Sequence, residues 1–538
     1  MAKGVRLRHP KGVRGVTSKN KKRQYALISV FDKTGIVELA KTLHALGYRM
    51  ISTGGTAKVL TENKIPVVSI QNITGNPESF DGRMKTISFQ VESGILFDRK
   101  NRKHVQEAKD LGIKPIDIVI CNLYPFEQTI TKPKITQDEA IENIDVGGPT
   151  MVRAAAKNFK HVLVVVDPTD YHSITDAIRK KQDTLSFRQK LAAKAFAYLS
   201  FYDAQIAQYF GREPFPNEIS LPLRKALSLR YGENPHQKAA VYFYPNTNSP
   251  LQHLQKAWGR DLSHVNITDI NAGLESVRLF EEPCAVIIKH NCPCGIALGK
   301  TIAEALQRAI LADPESAFGG IIVLNKPMDI HAAKEIEKFK DEKKANIDIV
   351  AVPKIAKNAL DFLRKVRKSM GIYTFARIPK KSNDRRNIKW IDGGLVLQTP
   401  DDTIEQSFKE WKVVTKRIPT KQQLLQMRIA WKFISRIKSN AIIVVDKTLP
   451  MTRGIGTGQT SRVRSTKIAL SQAGVFTKNG ILASDSFFPF DDSVQLAADA
   501  GISAIIQQGG SINDKLSIEA AEKAGISMVF TYRRAFWH

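Results

Sequence analysis

The chain has 538 residues, 43% apolar and 25% charged, enough for two or three globular domains with sizeable cores, which excludes disorder throughout. Its apolar runs are far shorter than the roughly 20 residues a bilayer crossing needs. The basic start MAKGVRLRHPKGVRGVTSKNKKRQ also lacks the apolar core of a secretory signal, so a cytoplasmic protein without membrane attachment is expected. Four cysteines, Cys121, Cys284, Cys292 and Cys294, are too few for a disulfide framework and fit a reducing compartment.

The 81 basic and 52 acidic residues leave a net charge of +29. Residues 1–23 carry nine of the basic residues and no acid, and residues 354–389 carry twelve against Asp361 and Asp384. Such runs read either as solvated surface, a tail and a helix face, or as a polyanion-binding footprint. A nucleic-acid partner is not expected, although the basic arm leaves one open.

After a basic arm over 1–24, residues 25–210 alternate β-branched runs with helical spacing, the pattern of an α/β domain with a largely parallel sheet. Strands are predicted at Tyr25 to Val30, Tyr48 to Ser52, Ile116 to Ile120 and Val162 to Val166, and an Ala-rich helix over Phe187 to Phe210. Residues 211–217, with a glycine and two prolines, read as a linker. Residues 218–538 are long for one unit, and two packed subdomains are expected. Buried strands are predicted there at Ala285 to Ile288, Gly320 to Leu324, Ile347 to Val352, Ala441 to Val445 and Ala504 to Gln507. The stretch Lys340 to Trp390 reads as a charged, irregular surface region.

In open α/β sheets ligands bind beyond the carboxyl ends of the strands. Thr53-Gly54-Gly55-Thr56-Ala57-Lys58 follows one strand there; it reads equally as an anion-binding helix start and as a tight turn. Cys121-Asn122-Leu123-Tyr124 follows another. In Asp145-Val146-Gly147-Gly148-Pro149-Thr150 the proline suits a first helical position and the glycines expose N–H groups. Thr150, Arg153 and Lys157 share one helix face, either as part of a donor-lined pocket or as a solvated basic surface. In the second half Lys289-His290-Asn291-Cys292-Pro293-Cys294 follows a strand, putting a proton acceptor beside a cation. The cysteine pair lacks the second pair a structural zinc site commonly has, so no metal is expected. Three further clusters read as ligand-contact loops: Leu229-Arg230-Tyr231-Gly232-Glu233-Asn234-Pro235-His236-Gln237, Gly454-Ile455-Gly456-Thr457-Gly458 through Arg462, and Ser486-Phe487-Phe488-Pro489-Phe490. The glycine spacing at 454, 456 and 458 does not meet the dinucleotide fingerprint, and the aromatics read as stacking groups or as core.

Taken in this order, these segments resemble the bifunctional AICAR transformylase/IMP cyclohydrolase family over essentially everything after the arm. The resemblance implies an α/β fold: an N-terminal methylglyoxal-synthase-like parallel-sheet domain, then a transformylase of two cytidine-deaminase-like subdomains, in a homodimer that shares transformylase sites between chains. It implies formyl transfer from 10-formyltetrahydrofolate to AICAR, then dehydrative ring closure to IMP, without zinc and with a monovalent cation left open. By match to the family motifs, Lys289, His290 and Asn440 serve formyl transfer, and Arg230, Tyr231, Phe318, Asp348, Arg462, Phe487 and Arg534 contact its nucleotide. Lys85, Tyr124, Asp145 and Lys157 serve ring closure, with Lys33, Thr53, Arg83, Thr86, Asn122, Gly147 and Gly148 lining that pocket. The chain departs from the family at Phe31, commonly a serine, at Cys292, commonly Asn or Ser, and over Ile87-Ser88-Phe89-Gln90-Val91-Glu92, where the family carries L-H-P-x-x-H. Two alternatives accompany this reading: a formyltransferase whose cyclohydrolase half has decayed, and a basic nucleic-acid-binding protein on the same frame.

Overall fold

The computed structural model describes residues 24–538 apart from 212, 246, 344–345, 376 and 380–386. The basic arm and part of the 354–389 run lie outside the described residues. The chain forms two compact units, Met1–Pro222 and Leu223–His538.

In the first unit, strands β1 (Gln24–Val30), β2 (Tyr48–Ser52), β3 (Val67–Ser69), β4 (Ile118–Asn122) and β5 (Leu163–Val165) form one sheet in the order β3-β2-β1-β4-β5. Every pairing is parallel. The middle strands are apolar without alternation because helices cover both faces, and Leu27, Ile28, Ile51, Val119 and Ile120 are buried. The strand order reverses between β1 and β4, and that reversal opens a crevice at their carboxyl ends. The predicted Ala-rich helix spans Leu185–Phe210. It buries Leu191, Ala195, Leu199 and Tyr202.

The second unit opens with a hairpin of β6 (Arg224–Ser228) and β7 (Ala240–Phe243), then builds two six-stranded sheets. The first contains β8 (Gln255–Trp258), β9 (Cys284–Lys289), β10 (Cys292–Leu298), β11 (Ile321–Leu324), β12 (Ile349–Val352) and β13 (Gly371–Thr374). After a hairpin of β14 (Asn387–Ile391) and β15 (Gly394–Gln398) comes the second, of β16 (Lys412–Val413), β17 (Ile442–Val445), β18 (Thr452–Gly456), β19 (Ile481–Ser484), β20 (Ala504–Gln507) and β21 (Ser527–Phe530). The orders β10-β9-β11-β12-β13-β8 and β18-β17-β19-β20-β21-β16 superimpose term by term. Parallel and antiparallel pairings match as well. A helix occupies each corresponding connection, so this unit is a duplicated mixed-sheet α/β module. The two sheets meet where Ala297 of β10 pairs with Met451 just before β18. There the Leu298 N–H donates to the Pro450 carbonyl at 2.8 Å.

Two expectations change. Residues 340–390 are not irregular throughout: they contain β12, β13 and the Lys357–Val366 helix, whose Ala359 and Leu363 are buried while Lys357, Arg364 and Lys365 stay in its first or last turn at the surface. Charge on the outer face of an amphipathic helix masked the element. The glycines at 454 and 456 belong to strand β18, not to a ligand loop. A Cβ on Gly454 would stand 1.9 Å from the Ala469 carbonyl oxygen, and one on Gly456 2.0 Å from that of Ser465. The Arg462–Ala473 helix therefore lies with its backbone directly on the strand. Gly456→Ala is expected to destabilise the second unit by about 3 kcal/mol or more, measured as a fall in the denaturant midpoint; an unchanged midpoint would disprove this close packing.

Candidate active sites

The crevice of the first unit is a cavity of about 720 Å³ lined by residues from β1, β4 and the loops around them. Lys33, Thr53, Arg83, Lys85, Thr86, Asn122, Tyr124, Asp145, Gly147 and Gly148 all line it. Asn122 holds the two strand exits together: its Oδ1 accepts from the Asp32 N–H at 2.8 Å and its Nδ2 donates to the Asp32 carbonyl at 3.0 Å. That clamp aims the next residue, Lys33, toward the Gly54–Glu62 helix. A Cβ built on Gly55 would lie 3.9 Å from the Lys33 Nζ. An ammonium group beside free helix N–H groups is an anion-binding arrangement. Thr53 precedes the helix without spending its hydroxyl on a cap.

On the opposite wall, Asp145 Oδ1 accepts from the Gly148 N–H at 2.8 Å, and the Asp145 N–H donates to Tyr202 Oη at 2.8 Å. Burial raises the Asp145 carboxyl above its ordinary range, partly opposed by N–H bonds from Gly148 and Tyr124. The glycine pair is demanded by crowding: a Cβ on Gly147 would fall 2.7 Å from Thr86 Oγ1, and one on Gly148 2.5 Å from Leu123 Cδ2. Tyr124, 47% exposed, meets Phe31 edge-to-face at 5.5 Å between centroids. The bulky Phe31 thus lines the cavity as a wall for the phenol.

Both cations on the loop before the Phe89–Leu96 helix already have carboxylate partners. Lys85 Nζ lies 2.7 Å from Glu78 Oε1, and Arg83 pairs with Glu142, another lining residue. Sequence reasoning missed both acids, because an isolated glutamate carries no signal of its partner. Lys157 is not brought to the cavity. It is the last residue of the 11-residue Gly147–Lys157 helix, exposed, about 15 Å along the axis from the glycines at 1.5 Å per residue. The face it shares with Arg153 is a solvated one, where Arg153 lies 3.7 Å from Asp203.

In the second unit, Lys289 ends β9 and pairs with Cys292, the first residue of β10, leaving His290 and Asn291 as a two-residue turn. Both are left-handed, at φ +57° and +61°, as the right-handed twist of a tight hairpin favours. His290 is exposed, and Lys289 Nζ donates to the Phe318 carbonyl at 2.8 Å. Beside the turn, Cys292 Sγ lies 3.3 Å from Thr457 Oγ1, whose hydroxyl donates to the Lys438 carbonyl at 2.8 Å. This links the turn to the segment carrying Asn440 in the second module. Asn440 Nδ2 donates to the Gln459 carbonyl at 2.9 Å, and its Oδ1 accepts from Arg462 at 2.8 Å.

The expected nucleotide contacts divide. Arg462 is turned inward: its guanidinium also bonds the fully buried Asp485 and the Ser484 hydroxyl, so it orients Asn440 and offers no open fork to a phosphate. Asp348 pairs with Arg260 at 3.1 Å. Phe487 is partly exposed between Ser486 and the fully buried Phe488, so the aromatic run is half core and half surface. Arg230 stacks on Tyr231 with its guanidinium 4.7 Å from the ring centroid, in the loop between β6 and β7. Arg534 is exposed, 4.4 Å from the Phe536 centroid. Among the described residues no hydrogen bond or ring contact joins Arg230, Tyr231 or Arg534 to Lys289 or His290.

These features fit an α/β enzyme with two candidate centres, one at a parallel-sheet crevice and one beside the link between the halves of a duplicated module. Comparison with known proteins agrees: an MGS-like domain matches residues 35–150, and the AICARFT/IMPCHase bienzyme family matches residues 155–472. The chain is 45% identical over 517 residues to the bifunctional purine biosynthesis protein PurH of Thermoanaerobacter sp. (strain X514), covering 95% of this chain and 99% of that protein. The PurH of Oceanobacillus iheyensis is 42% identical over 517 residues and that of Persephonella marina 44% over 524 residues, each with 95% and 99% coverage. The chain belongs to the AICARFT/IMPCHase bienzyme family. It is an enzyme of purine biosynthesis with AICAR-formylating and IMP-cyclising activities, and the decayed and nucleic-acid-binding alternatives give way to that reading.

Glu92 stands where the family motif has its second histidine. Both carboxylate oxygens are buried without a hydrogen-bond partner, and burial pushes the group from 4.5 up to about 7. The folded state therefore keeps a proton that the unfolded chain gives up near pH 4.5, so stability falls as pH rises from there to about 7. Glu92→Gln should raise the Tm of the first unit at pH 8 and leave it little changed at pH 4.5; an equal effect at both would contradict this.

Proposed function

We propose that formyl transfer from 10-formyltetrahydrofolate takes place at the Lys289–His290 turn and ring closure in the crevice of the first unit. In the first reaction the 5-amino nitrogen of AICAR attacks the formyl carbon. His290 takes the amine proton, Lys289 faces the developing oxyanion, and the tetrahedral adduct collapses as N10 of the folate leaves with a proton. Asn440, held on both sides by Gln459 and Arg462, orients the reacting groups. The thiols take no part as metal ligands in this reading: Cys292 contacts Thr457, and Cys294, directed at the Ile287 carbonyl, is pushed up to about 12 by burial.

In the second reaction the carboxamide nitrogen attacks the formyl carbon, and the formyl oxygen leaves as water with one proton from that nitrogen and one from the formamido N–H. Lys33 and the start of the Gly54–Glu62 helix hold the phosphate, Lys85 and Tyr124 serve the departing oxygen, and Asp145 accepts the proton of the attacking nitrogen. No step is assigned to Lys157. The observation that carries the assignment is the convergence of Lys33, Lys85, Tyr124, Asn122 and Asp145 on one cavity at the point where strand order reverses. A cytoplasmic homodimer with shared transformylase sites completes the proposal.

Two variants assayed on both steps separate the centres. His290→Ala is expected to lower formyl transfer by roughly 100-fold or more while ring closure of supplied formylated intermediate stays intact. Lys85→Ala should do the reverse, by a similar factor. A crossed pattern, or loss of both activities in either variant, would refute the division.

A further inference from the structure

Asp269 has no place in the reaction as described, yet it is the one acid beneath the histidine turn among the described residues whose hydrogen bonds reach it. It sits on the Ser263-capped His264–Val277 helix and is 4% exposed. Its Oδ1 accepts the Asn291 N–H at 2.6 Å, and the His290 N–H faces the same carboxylate. Those are the backbone donors of the two left-handed residues. Asparagine tolerates this conformation better than most side chains, and histidine is among the few enriched in it, but neither is free of cost without glycine. A buried acceptor that holds the Asn291 N–H and faces that of His290 offsets part of that cost and favours one geometry of the turn.

We propose that Asp269 is a positioning residue for formyl transfer: it fixes the His290–Asn291 turn and thereby the direction in which the imidazole meets the amine. The inference rests on the reading of His290 as the base. Asp269 itself is too enclosed to meet substrate, so its effect passes through the backbone. The carboxylate also faces Lys438, in the segment that presents Asn440, and so lies between the two modules' contributions to the site. Misplacing a reacting group by about 1 Å costs roughly 100-fold in rate, which sets the scale of what the turn protects.

The test compares Asp269→Ala, Asp269→Asn and His290→Ala in the full-length protein, measuring kcat and KM for AICAR in formyl transfer, with thermal unfolding as a check that each variant is folded. Asp269→Ala should lower kcat by about 100-fold with the KM for AICAR within about threefold, because the nucleotide's own contacts remain. Asp269→Asn keeps an oxygen for the Asn291 N–H and should hold kcat within about tenfold of the native enzyme. An unchanged kcat in Asp269→Ala while His290→Ala is inactive overturns the positioning role alone. Asp269→Asn as slow as Asp269→Ala overturns it also, since the negative charge and not the turn would then matter. Full activity in His290→Ala overturns the reading beneath it.

Discussion

Hydrogen bonding within a sheet satisfies backbone groups along a strand but not at its end, and a sheet covered on both faces has nowhere else to present polar chemistry. That constraint places both candidate sites. In the first unit β4 is buried to its last residue and β1 and β2 are largely buried at their carboxyl ends, so Phe31, Lys33, Thr53 and Tyr124 are the positions just beyond the strands at which side chains reach solvent. In the second unit β9 runs buried from Cys284 to Ile288, and Lys289 and His290 are where it emerges. The chemistry stands at the rim of a rigid support.

How much of this was readable from the sequence follows from which forces are local. Runs such as Ala504–Gln507 stand out because full burial demands uninterrupted apolar residues, and that strand was predicted with the bounds observed. The left-handed turn was not predicted: Lys289-His290-Asn291 reads only as following a strand, and the return strand from Cys292 goes unseen because Pro293 and Gly295 interrupt its apolar run. Pairing across the chain left no trace either. Nothing near Lys85 in the sequence distinguishes Glu78 as its partner, and Arg462 looks like any exposed arginine until Asp485 is seen buried beneath it. Helical spacing grouped Thr150, Arg153 and Lys157 on one face correctly, yet periodicity has no information about which end of the helix meets the cavity.

Two cations that line the cavity, Arg83 and Lys85, are each paired with a carboxylate. Glu78 pairs with Lys85 and Glu142 with Arg83, which favours one arrangement of each side chain. The Phe31–Tyr124 contact does the same for the phenol by van der Waals means. Preorganisation of this kind lowers the entropy lost when substrate arrives.

The bridge between Ala297 and Met451 has a consequence for how the duplicated unit survives in solution. β10 and β18 are the outermost strands on corresponding sides of their sheets, and each alone would offer an unpaired row of donors and acceptors to any passing chain. Where they meet, around Ile296–Leu298 and Pro450–Thr452, part of each border is covered by the other. Separating the halves of this unit would uncover backbone donors and acceptors at that meeting point, which ties the two copies to one polypeptide.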